Sequence, residues 1–230
     1  MNISSYVREI SVIVIGIAIA LWGDDLMQQY EREKISTELR VNLLEEVGEI
    51  EKYVSNRETV FKNDIQILDA LVNNNIDFDS LVESKSNKSI YNMSIFGYRG
   101  FQTPNAFYKS LVNDGKIRYL ESVGLKKELD LMHNINSYYI IENTKLEIVA
   151  GKKLKDYFEV NYPKNILDGY DEGVSINKYV YDLYTLIQTD DRMKAILLGK
   201  ISQMEDKIIF LHRYKESLVK IKGCLTRSFK

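Results

Sequence analysis

The sequence is poor in residues that interrupt a chain or staple it. Only 2 of its 230 residues are proline and 1 is cysteine, so long uninterrupted helices are open to it. The single thiol, Cys224, excludes an internal disulfide framework and reads as a small apolar filler. Histidine is scarce too. His133 and His212 stand in no zinc-type spacing, and no Glu-x-x-His pair supports a di-iron bundle, so no metal is expected. Glycine-rich phosphate loops are missing, and Gly97-Tyr98-Arg99-Gly100 is too short to serve as one. No nucleophile–base set is visible. The expectation is therefore a non-enzyme with no catalytic residues and no cofactor. A net charge of −2 gives no global field for nucleic acid, which makes nucleic acid an unexpected partner.

One long apolar run is present. Ile10 to Trp22 carries no charge, and its only hydroxyl is Ser11. Thirteen helical residues reach ~20 Å, short of the ~30 Å hydrocarbon core, but the flanks extend the run. Ile3, Tyr6 and Val7 precede it and Leu26 and Met27 follow, while Trp22 stands where an interfacial anchor belongs. The favoured reading is a transmembrane anchor within residues 1–25. A signal peptide cut after Ala18-Ile19-Ala20 and a soluble core helix are the alternatives. Glu9 lies near the boundary, where a carboxylate needs a partner, a proton or the interface. Gly16 leaves room for close helix contact. Two readings stay open: Glu9 lying at the interface of a monomer whose stalk stripe is covered by its own last helix, or anchors that assemble into a homo-oligomer held by residues 9–54.

Residues 26–230 read as a helical soluble domain. Leu39, Leu43, Val47, Ile50 and Val54 mark a stalk helix over about 26–57, with a second helix from Val60 to Leu71. Residues 73–102 read as an irregular insert, with β-rich or irregular composition over 90–101. Thr103-Pro104 reads as a helix start and Asn113-Asp114-Gly115 as its end. A further helix is expected from Ser122 to about Phe158, a loop over 161–173 and a short helix over about 175–188. Met193, Leu197, Ile201, Met204, Ile208, Leu211, Leu218, Ile221 and Leu225 form the apolar stripe of a last helix, about 190–226, long enough to pack along the stalk. The expected fold class is all-α: a membrane helix continuing into an elongated helical bundle, with little or no β.

Two clusters stand out. The acidic pairs Glu45-Glu46, Asp77 with Asp79, Asp171-Glu172 and Asp190-Asp191 read as solvated faces and helix starts. Phe96, Tyr98, Arg99, Phe101, Phe107 and Tyr108 fall within thirteen residues. Arginine and aromatic planes together can hold a ligand or a partner surface, aided by N–H donors of the helix opening at Thr103-Pro104. The alternative is that these rings pin an irregular connection to the bundle. Tyr138-Tyr139 reads as core and rim.

Residues 9–21, EISVIVIGIAIAL, resemble the opening of an uncharacterised bacterial membrane-protein family, a domain of unknown function. Its members run Glu-Ile, Ile-Gly-Ile and Ile-Ala-Leu into a long charged helix. Residues 106–139 are similar to a second stretch of that family, while Trp22-Gly23-Asp24 departs from it. The resemblance implies a single-pass protein of the bacterial inner membrane, with the N-terminus cytoplasmic and the soluble domain outside. It implies location and no activity; the first reading of the chain as a whole is a non-enzymatic protein in the lipid bilayer, with an unidentified protein partner and a helical domain acting as sensor, scaffold or assembly partner. The alternative is a membrane effector, for example in phage defence, whose cytoplasmic helical domain binds a ligand and perturbs the membrane.

Overall fold

The computed structural model describes residues 3–73, 87–120 and 122–227, with side chains from residue 11 onward. Among these residues the secondary structure is helical and no strand occurs. Helix α1 spans Ile3–Val72, a rod ~105 Å long at the helical rise. It runs through Gly23 and, contrary to the sequence expectation, does not stop near Arg57. No proline or glycine lies between Gly48 and Val72 to break it, and its apolar stripe continues without a phase shift through Val54, Phe61, Leu68 and Leu71, all buried. Gln188 finishes it, its Nε2 donating to the Leu71 and Val72 carbonyls at 2.9 and 3.1 Å.

The expected insert is partly helical. Residues 74–86, with Asp77 and Asp79, lie outside the described residues. Helix α2 spans Lys88–Phe96, where the sequence reading had β-rich or irregular chain. The Asn87 side chain caps it, accepting from Ser89 N at 2.8 Å. Helix α3 is Ala106–Asn113, starting later than Thr103-Pro104. Gly115, with φ +66°, supplies the left-handed residue that ends this segment. Ser122 caps α4 (Val123–Asp130), which passes through a π turn (Leu131–Asn136) into α5 (Ser137–Asn161). The expected loop over 161–173 contains α6 (Pro163–Asp168), with proline at its first position. Helix α7 is Ile176–Thr189 and α8 is Asp191–Arg227. The Asp190 carboxylate accepts from Arg192 N and Met193 N at 3.0 and 3.1 Å, which bears out the expected acidic start.

Direction follows from cross-helix pairs. Glu51 with Lys222 and Glu58 with Lys215 make α8 antiparallel to α1. Asn136 with Ser217, Glu147 with Lys207 and Tyr157's neighbour Asp190 make α8 antiparallel to α5 as well. Helices α1 and α5 therefore run the same way, with α8 packed against both. Met193, Leu197, Ile201, Met204, Leu211, Leu218, Ile221 and Leu225 of the stripe are buried, with Tyr214 beside them, while Ile208 is half-buried. One core cluster gathers Leu39 to Phe61 with Leu211 to Leu225. The other gathers Ile67 to Val72 with Met193 to Met204.

Candidate functional site

The aromatic–basic segment does not form one open surface. From Gly97 to Asn105 the chain is a strap running down α1, and the side chains expected to bind a ligand fasten it instead. Arg99 grips Asp64 with two bonds, Nε to Oδ2 at 2.7 Å and Nη2 to Oδ1 at 3.1 Å. Phe101 is buried between Tyr53 and Tyr214, with ring centroids 5.7 and 5.4 Å away. Gln102 N donates to the Tyr53 hydroxyl at 2.7 Å. Phe96 meets Phe158 edge-on at 5.0 Å, and Tyr108 stacks on His133 at 4.0 Å. Phe107 is half-buried against the first core cluster, and of the six only Tyr98 is exposed.

The helix start expected to offer an anion site is already occupied. Both oxygens of the Glu46 carboxylate accept from the first turn of α3, Phe107 N at 2.7 Å and Tyr108 N at 3.0 Å. Glu46 is buried and caps a helix sixty residues away, so the solvated-face reading of this acidic pair is wrong for Glu46. The helix dipole draws a carboxylate to that end, and the fold supplies its own.

What sequence reasoning missed is a buried charge network between the two core clusters. Lys200, Lys207, Glu147 and Asp64 are each at most 3% exposed. Lys207 Nζ pairs with Glu147 Oε2 and lies 4.7 Å from the Phe61 ring centroid. Lys200 Nζ donates to the carbonyls of Ser94, Ile95 and Gly97 at 2.7, 2.9 and 2.8 Å. It caps the C-terminal end of α2, where the helix dipole is negative. Ser94 Oγ donates to Asp64 Oδ1 at 2.7 Å, tying the same helix to α1. Burial pushes the Lys200 ammonium down to about 8 and pulls Lys207 down as well. Gly151 lets α5 approach this point, since a Cβ there would lie 2.5 Å from the Phe96 carbonyl oxygen. A sequence signal existed. Lys200 and Lys207 keep step with Met193, Leu197, Met204, Leu211 and Tyr214, and Glu147 keeps step with Ile140, Thr144 and Leu154.

A cleft of about 360 Å³ opens beside the same helix end. Met93 and Phe96 of α2 and Ile166 of α6 give it apolar walls, and Ser89, Asn92, Lys155 and Tyr170 bring polar groups to it. Asn92 is engaged by the Tyr179 hydroxyl, and Lys155 stands 3.8 Å from Glu159. Among the described residues no cluster of three His, Cys, Asp or Glu side chains could hold a metal. His212 sits 3.2 Å from Glu58 on the surface, and burial pushes His133 down to about 4.

No family model, curated protein or solved structure matches the chain.

Proposed function

We propose that the chain is a non-enzymatic single-pass membrane protein, whose helical domain acts as sensor, scaffold or assembly partner on a rigid stalk. One observation carries this reading. The apolar residues Val12–Ile15, Ile17, Ile19, Leu21 and Trp22 are exposed on every side of α1, from 56% at Ile17 to 68% at Trp22. The helix is long and apolar enough to cross a bilayer, and none of the apolar window is covered by the rest of the chain. A helix apolar all round needs a surrounding apolar medium. The same helix continues as the core of the domain, so the span and the bundle share one backbone.

Membrane retention tests it. Full-length protein should remain in the pellet after a carbonate wash. Release of the intact chain, or a mature N-terminus at Leu21, would overturn the anchor. The effector reading draws support from the 360 Å³ cleft, which is of ligand size. Orientation separates the two readings. Cys224 is half-buried, so a Val219→Cys variant in a Cys224→Ser background is the better reporter, since Val219 is 70% exposed. Labelling by an impermeant reagent in intact cells supports the outward domain, and labelling only after lysis supports the effector.

A further inference from the structure

The stalk stripe expected to hold an oligomer packs within its own chain. Leu39, Leu43, Val47, Ile50 and Val54 are at most 7% exposed, inside the first core cluster. What the fold leaves open is the 360 Å³ cleft between α2, α5 and α6. Its walls are braced before anything enters. Lys88 Nζ donates to the Asp168 and Asp171 carbonyls at 2.9 and 2.5 Å, which fixes the end of α6 against the start of α2. The Asn92 amide commits both its ends to the fold: Oδ1 accepts from the Tyr179 hydroxyl, and Nδ2 donates to the Gly169 carbonyl at 3.4 Å. Ser89 Oγ donates to Asn87 Oδ1 at 2.6 Å. A preformed cleft lowers the cost of ordering a site around a ligand.

The rest of the wall is a thioether and apolar carbon. Met93 is 41% exposed there, with the Phe96 ring and Ile166 beside it. Tyr170 lines the same cleft at its mouth, 75% exposed. Two rings and a polarizable sulfur suit a flat aromatic body. Among the described residues Lys155 is the only charged one that lines the cleft. Gly151 and Phe158 of α5 both meet Phe96, so Lys155, between them, stands at the C-terminal half of α2. Its hold on Glu159 is loose. The 3.8 Å separation is past hydrogen-bond range, both side chains are more than half exposed, and lysine ahead of glutamate is the weaker order on a helix. Asp171 and Glu172 share a depression with Ser89, at the other end of α2, ~10 Å from Phe96 at the helical rise. The carbonyls that end α2 are already met by the Lys200 ammonium, which offsets their repulsion of an anion.

We propose that this cleft binds a small aromatic carboxylate, with its ring body between Met93, Phe96 and Ile166 and its carboxylate on Lys155 Nζ. The lining selects that chemistry. A cation would meet Lys155, an uncharged polar molecule would find Ser89 and Asn92 already bonded, and a multiply charged anion would find a single cation. Ser94, on the same helix as Met93 and Phe96, donates to Asp64 of α1 at 2.7 Å, so the occupant lies one helix away from the rod. The site thus names what a sensor of this build would sense. That role rests on the function proposed above. The occupancy does not, since every lining residue belongs to the bundle.

Calorimetric titration of the detergent-solubilised full chain tests this, against detergent-only blanks. The probes are 2-naphthoate, the smaller phenylacetate, and two molecules with the naphthyl body but another charge: naphthalene-2-carboxamide and 2-naphthylmethylammonium. Naphthoate should bind about fivefold or more tighter than the amide or the ammonium. Lys155→Gln should remove its preference over the amide, and Lys155→Glu should transfer the preference to the ammonium. A merely structural lysine would give no such reversal. Ser89→Trp, at an exposed position on the cleft wall, should weaken all the naphthyl probes by filling the space. Melting temperatures show that each variant is folded. The proposal is overturned if neither carboxylate binds, if the three naphthyl probes bind equally, or if the preference for naphthoate survives Lys155→Glu. Carbonate extraction keeps the two readings apart. A chain released by carbonate that binds naphthoate in this pattern would leave the cleft standing and remove the anchor. A retained chain that binds neither carboxylate would do the reverse.

Discussion

Glu147 and Lys207 form an ion pair with almost no exposure, and its effect depends on what is removed. Two charges taken from water regain little net free energy, but one left alone is costly. Glu147→Gln should destabilise the fold by ~3–5 kcal/mol, whereas the double replacement Glu147→Leu with Lys207→Met should cost far less. Denaturant midpoints of the detergent-solubilised full chain distinguish these outcomes. His133 carries a pH signature. Burial, aided by Lys109, drops its imidazole from 6.5 to about 4. Between those values the unfolded chain binds a proton that the folded chain does not, so stability falls as pH drops from 6.5 towards 4. His133→Gln should remove that part of the slope in thermal melts. Lys200 has the same sign at higher pH. Its folded value of about 8 lies below the ordinary 10.5, so its contribution improves as pH rises between them.

At the scale of elements, two short helices depend on distant residues for their ends. Helix α3 has no side-chain cap of its own, because the Asn105 side chain makes no capping bond. Glu46 does that work from α1. Glu46→Ala should cost ~1–2 kcal/mol, and Glu46→Gln should keep part of the loss back by retaining one acceptor oxygen. Melting temperatures of the two variants should fall in that order. The end of α2 is fixed by Lys200 and by the closeness that Gly151 allows. Gly151→Ala puts a methyl 2.5 Å from a backbone oxygen that no side-chain rotation can move away. It should destabilise by ~1–3 kcal/mol, although alanine is the better helix former.

For the whole molecule, α1 is a rod with three environments. Its apolar part lies open, residues 23–34 form an exposed neck ~18 Å long, and the part from Ser36 onward is wrapped by the bundle. The neck side chains belong to no core cluster. A proline there should break the rod and leave the bundle intact. Gln29→Pro should lower helix content locally, at ~3 kcal/mol for the helix, with the domain's melting temperature unchanged. A large fall in that temperature would show that the neck is packed against something.

The sequence by itself determined most of the helical inventory, because apolar spacing, caps and breakers act within a few residues. The last helix, the Ser122 start, the Gly115 end and the apolar opening run were legible for that reason. The length of α1 was underread, since no local signal at Arg57 stopped it and the stripe carried on to Leu71. Only the tertiary structure decided what faces what. A lysine in an apolar stripe can turn to solvent or be buried against a partner, and helix spacing cannot choose. Lys207 is buried because α5 brings Glu147 to it, and Glu46 because α3 points its free N–H groups at it. Arg99 and Phe101 look like a binding surface in sequence and act as fasteners in space, because Asp64, Tyr53 and Tyr214 arrive from elements 35 or more residues away. Free energies of burial and pairing depend on such long-range neighbours, which a linear pattern does not contain.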